Sequence, residues 1–163
     1  MNPWRRLRRG LVSAAAIFAG WPAWAAPLGQ GEVRAFLAQQ QRAWNAGALD
    51  AYFAGFTPDA TFTDQYRTPA GQVVPYGVST LPQARNQSRK FRAGASISEA
   101  AQILDISSAA AGGSAEVVSR VVSQIGGAHG VRVTCATRRE RLVLAGGRLK
   151  STGQIDTFSR CPR

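Results

Sequence analysis

One stretch, Trp44 to Tyr66, does most to limit what this chain can fold into. It reads WNAGALDAYFAGFTPDATFTDQY, and its apolar residues change period part-way along. Leu49, Tyr52, Phe53 and Phe56 recur at the spacing of one helix face, and Thr57-Pro58-Asp59 ends that pattern. From there the period is two. Ala60, Phe62, Asp64 and Tyr66 share one face of a strand, and Thr61, Thr63 and Gln65 share the other. The first face is the apolar one, so Asp64 is expected to point where Phe62 points. An ionised acid on an apolar face is costly unless something offsets the lost hydration. Asp64 therefore needs a purpose or a partner. The purpose would be that of a general base or a ligand hydrogen-bond acceptor in a pocket. The partner would be an arginine on a facing strand, or water at an open mouth.

The flanking sequence supplies more elements. Val33, Phe36, Leu37, Gln40 and Trp44 recur at helical spacing, which puts the polar Gln40 on a buried stripe. Asn45-Ala46-Gly47 ends that helix. Val73 to Tyr76 reads as a short strand, held to a sheet edge by Pro75. Ser79 or Thr80 caps a third helix, with Pro82 in its first turn and Arg85, Arg89 and Arg92 along one side. The second half reads as strands: Ser96 to Ser107, Ala115 to Ile125, and a long hairpin of Val131 to Leu144 with Arg148 to Arg160. Helices followed by antiparallel strands make an α+β domain.

The formal charge of +11 is unevenly placed, because Arg5, Arg6, Arg8 and Arg9 precede an apolar run, Leu11 to Trp24, that ends in Ala23-Trp24-Ala25. A basic start, a short apolar run and a small-residue exit predict a signal peptide over 1–25 and a mature domain over 26–163. The run is short for a bilayer span and contains Pro22, so no stable membrane anchor is expected. Arg8-Arg9 resembles a twin-arginine signal, and general secretion is equally open. Periplasmic or secreted localisation follows. In an oxidising compartment Cys135 and Cys161 are expected to form a disulfide. A tight Gly146-Gly147 turn sets Cys135 opposite Phe158 rather than Cys161, which calls for a bulge near Arg138 to Glu140 or a tail that curls back.

FLAQQQRAWNAGALDAYFAGFTPDATFTDQ resembles the opening of the nuclear-transport-factor-2-like (NTF2-like) superfamily, which includes SnoaL-like proteins and ketosteroid isomerases. The shared features are the W-N-A-G turn, L-D before an aromatic helix, and F-x-x-D-A-x-F-x-D. The resemblance implies a cone: helices packed in a strongly curved antiparallel or mixed sheet, with a pocket at the open end. It places Asp64 where ketosteroid isomerases carry their base. Gln40 stands at the position of their tyrosine donor, and their second acid falls near Arg139. Both of their oxyanion donors are thus replaced.

Candidate ligand-binding residues are Gln40, Trp44, Phe56, Phe62, Asp64 and Tyr66, with Asp64 the candidate base. His129 is the single histidine and lies in a glycine-rich turn, so Ser-His or Cys-His catalysis lacks a base. No metal-ligand spacing or phosphate-binding loop is present, so no metal and no cofactor are expected. Arg138, Arg139, Arg141 and Arg148 read as a solvated rim, or as an anion-binding mouth. Three functions remain open: binding of a small, largely apolar ligand; a cofactor-independent isomerase, cyclase or hydratase; and an interaction module that dimerises through Val118 and Val122 or docks on an envelope protein. An exported chain has no evident nucleic-acid partner.

Overall fold

The computed structural model describes residues 27–110 and 112–162; the expected signal peptide lies outside them. Three helices and six strands follow in the order α1 (Gln30–Asn45), α2 (Leu49–Phe53), β1 (Phe56–Arg67), β2 (Val73–Thr80), α3 (Leu81–Gly94), β3 (Ser96–Ser108), β4 (Ser114–Gly127), β5 (Gly130–Ala145) and β6 (Arg148–Ser159). Among the described residues no helix is long and apolar enough to cross a membrane.

The helix ends follow local chemistry. The Gly29 N–H donates to Glu32 Oε2 at 3.3 Å, which satisfies one of the free donors at the start of α1. Gly47, at φ 70°, supplies the left-handed turn between α1 and α2. Thr80 caps α3 by giving its N–H to Gln83 Oε1 at 2.9 Å. The α3 arginines are not merely solvated. Arg89 and Arg85 reach Asp50 on α2 at 3.1 and 4.0 Å. Arg92 stacks 4.5 Å over the Trp44 ring and donates to the Trp44 carbonyl. These contacts fix where α3 lies across the other two helices; exposed ion pairs of this kind contribute little stability themselves.

The strands form one mixed sheet in the order β2-β1-β6-β5-β4-β3. Only β1 and β6 run parallel. This corrects the expected cone: the α+β class and mixed sheet hold, but the sheet is open and does not wrap round the helices. Strands β2 and β3 are two separate edges. Both edges are irregular. In β2, Pro75 lacks a backbone donor and Tyr76 is an extra residue between the pairs Asp64↔Gly77 and Gln65↔Pro75. In β3, Leu104 is extra between Ile103↔Ser119 and Asp105↔Val118. Edges interrupted in this way resist further pairing.

One sheet face meets the helices through two apolar clusters. Leu28, Val33, Ala115, Val117 and Leu142 form one; Tyr52, Phe53, Phe56, Ala60 and Ala84 form the other. Along the same strand face lie buried polar residues, Glu99, Ser119, Glu140 and Gln154. Val118 and Val122 point to the other face and are half-buried.

Cys135 and Cys161 are bonded, with Cα atoms 5.1 Å apart. The register that permits this differs from a plain hairpin. Glu140 pairs with Gln154 but Leu142 pairs with Ser151, so β6 carries an extra residue and Cys135 faces Ser159. The bulge thus lies just beyond the span expected for it, on the partner strand. Gly153 occupies it at φ 137°, and a Cβ there would sit 1.9 Å from the Thr61 carbonyl oxygen.

Candidate functional site

A cavity of about 270 Å³ opens between the sheet and the helices. Trp44, Tyr52, Phe53 and Phe62 give it aromatic walls, and its charged residues are Asp64, Glu99, Arg138 and Asp156. Strand pairing explains why three of these meet. Asp64 on β1 is level with Asp156 on β6, which is level with Arg138 on β5. On the other side of Asp64 stands Gly77, where a Cβ would lie 3.7 Å from Asp64 Oδ2. The carboxyl thus rests over a residue without a side chain, next to the β2 bulge.

Arg138 is a clamp. Its Nε and Nη2 donate to the two Asp156 oxygens at 2.8 Å each, and its Nη1 donates to Glu99 Oε1 at 2.8 Å. Burial alone would lower its pKa, but Asp156 and Glu99 outweigh burial and hold it well above the ordinary arginine range. Glu99 is in turn fixed from α1: its N–H donates to Asn45 Oδ1, and its carbonyl accepts from Asn45 Nδ2, both at 2.8 Å. Asp64 is the acid left over. Among the described residues it has no ion-pair partner. Partial burial raises its pKa, the Asp156 charge raises it further, and Arg138 opposes both. The side chain is exposed at the cavity rim, so solvent and a bound molecule can both reach it.

Deeper in, the Tyr52 hydroxyl donates to Gln154 Oε1 at 3.1 Å, and burial pushes its pKa well up. Glu140 is buried, and burial raises its pKa from 4.5 to about 7 against the pull of Arg138, Ser151 and Gln154. The folded state therefore favours its protonated form. That stabilisation is complete below about pH 4.5 and is lost as pH rises through about 7. Glu140→Gln, which cannot ionise, is expected to be more stable than the native chain above pH 8 by about 3 kcal/mol. The two should converge near pH 4. Urea unfolding at both pH values checks this, and pH-independent separation of the two curves would disprove it.

The structure distributes the residues expected from sequence. Trp44, Phe62 and Asp64 line the cavity together. Phe56 packs in the aromatic core beside it, with its ring centroid 4.9 Å from that of Phe62. Gln40 is buried beyond the cavity, and Tyr66 stands outside, its ring 6.2 Å from that of Tyr76. Arg138 departs from the expected solvated rim: it faces inward with Ala136, Glu140 and Leu142. Glu99, Asp156, Glu140 and Gln154 were not singled out from sequence. Strand parity was the available signal, since Glu140 and Arg138 alternate with Leu142 and Ala136, but Arg139 and Arg141 between them masked it. Among the described residues no three His, Cys, Asp or Glu side chains converge to hold a metal ion.

No protein-family model matches the chain, and no curated protein is similar to it in sequence. Solved structures do match its fold. The beta subunit of a candidate aromatic-ring-hydroxylating dioxygenase from Novosphingobium aromaticivorans superposes with a TM-score of 0.62 at 13% identity, covering 82% of this chain and 90% of that one. A ketosteroid isomerase-like protein from Erwinia carotovora atroseptica gives 0.59 at 14% identity, covering 80% and 96%. An NTF-2 like protein of unknown function from Shewanella oneidensis gives 0.56 at 16% identity, covering 80% and 99%. The fold is NTF2-like. In this NTF2-like domain the likeness extends to the path of the backbone. The acids and the clamp described above are read from this chain alone.

Proposed function

We propose that the chain is a cofactor-independent enzyme of the isomerase, cyclase or hydratase kind, acting on a small, largely apolar substrate with Asp64 as base. The observation that carries this reading is the contrast among the acids of one cavity. Glu99 and Asp156 are spent on Arg138, while Asp64 beside them is unpaired among the described residues and reachable. A carboxylate at the rim of an aromatic-walled cavity can take a proton from a carbon next to a carbonyl and return it elsewhere on the substrate. Such a transfer needs no cofactor. Four donated hydrogen bonds already occupy the Arg138 guanidinium. Its charge is already balanced by Glu99 and Asp156, so its part is to hold those two acids in place beside Asp64 rather than to act as a free donor. The fold shared with a ketosteroid isomerase-like protein supports this kind of chemistry. We also place the work outside the cytoplasm, because residues 1–25 read as a signal peptide and the two cysteines are bonded.

Exchange of the α-protons of 2-tetralone in D2O, followed by NMR, tests the base directly. The native chain should accelerate exchange over buffer, and Asp64→Asn should lose about 10²-fold or more of that acceleration while unfolding at the same urea concentration. Equal exchange by both proteins would remove Asp64 from the mechanism. Saturable binding without exchange would favour the second reading, a ligand-binding protein, which the same cavity supports.

A further inference from the structure

Behind the cavity, between α1 and the sheet, lies a smaller chamber of about 150 Å³. The two share Trp44, Tyr52, Glu99, Arg138 and Gln154 as walls. Three polar atoms on residues lining the chamber are buried and have no hydrogen-bond partner among the described residues: Gln40 Oε1, Trp44 Nε1 and Glu140 Oε1. Gln40 is only 8% exposed and Glu140 only 6%. Buried polar atoms are nearly always paired, because leaving one unpaired forfeits its hydration for nothing. The Gln40 side chain is also held in place. Its Nε2 lies 1.4 Å from where a Gly55 Cβ would be, so the amide fills the space that this glycine leaves.

We infer that this inner chamber is a subsite for an uncharged hydroxyl group of the ligand, whose apolar body occupies the outer cavity. The inference rests on that cavity being the working pocket. An indole N–H only donates and an amide oxygen only accepts, whereas a hydroxyl does both. One such group can therefore pair with Trp44 Nε1 and with Gln40 Oε1 or Glu140. A charged group fits worse. Arg138 and Glu99 are already paired with each other and Glu140 is held toward its protonated form, so a buried ion would give up its hydration against charges already balanced. The chamber is the smaller of the two spaces, so it takes the polar end of the ligand and leaves the bulk among Phe53 and Phe62.

Binding of 2-naphthol and of 2-methylnaphthalene, similar in shape and differing in the hydroxyl, separates the possibilities when measured at pH 6 on the native chain, Trp44→Phe and Gln40→Leu. The native chain should prefer 2-naphthol by about tenfold or more, the worth of one well-made buried hydrogen bond. The preference, read as the ratio of the two affinities so that a change in the shared Trp44 wall cancels, should fall toward one in each variant. Equal binding of both probes by the native chain would overturn the subsite and leave the pocket standing. A preference that survives both substitutions would place the hydroxyl elsewhere and equally overturn it. Binding of neither probe would remove the subsite and the pocket together. If one variant does not fold, the other and the native comparison still decide.

Discussion

Gly153→Ala is expected to lower stability by about 4 kcal/mol or to leave no folded protein at all. Two costs coincide at this position. Its φ of 137° lies where side-chain-bearing residues are strained, and the added Cβ would overlap the Thr61 carbonyl oxygen at 1.9 Å. Neither neighbour can yield cheaply. Thr61 is backbone of β1, and the bulge at Gly153 sets the register of β6 against both β5 and β1. Gly146→Ala is the control. It also has a positive φ, 58°, but nothing lies within 4 Å of the new Cβ, so it should cost about 1 kcal/mol. Denaturant midpoints compare the two, and equal losses would show that the approach to Thr61 is not what makes Gly153 necessary.

Arg138→Met should cost about 3–5 kcal/mol, because it strands the buried Glu99 and the half-buried Asp156, whose only cation among the described residues was Arg138. Adding Glu99→Gln and Asp156→Asn should restore much of the loss at pH 7. A single variant no less stable than the native chain at pH 7, or a triple variant no more stable than the single one, would show that the clamp is not holding the strands.

Much of the architecture was legible because local period and turn chemistry agreed. The helical stripe of Val33, Phe36, Leu37 and Trp44, the Asn45-Ala46-Gly47 stop and the Gly146-Gly147 hairpin all lie where spacing put them. The pairing of Cys135 with Cys161 was legible too, but the register beneath it was not. A bulge at Gly153 depends on a parallel strand, β1, that sits about ninety positions earlier in the chain. The edge bulges were hidden for a similar reason: Tyr76 and Leu104 are extra residues only relative to their partners. At the site, Asp64 stood out because one acid interrupted a run of aromatic and small residues. Arg138 did not, because it sits in a run of charge whose alternate members face water. Burial turns on strand parity, which composition does not report.

The disulfide and the Gly146-Gly147 turn close the β5–β6 hairpin at its two ends. Residues 135–161 are therefore a covalent ring, with Arg138, Glu140, Gln154 and Asp156 all threaded on it. Fraying, which ordinarily starts where a hairpin's strands come free, has no loose end here. In the oxidised chain the two halves of the ion-pair row cannot drift apart even when the helices above them open. In a reduced chain the same row is held by packing and charge alone. The thiol–disulfide state of two residues outside the cavity thus sets how far its floor can spread.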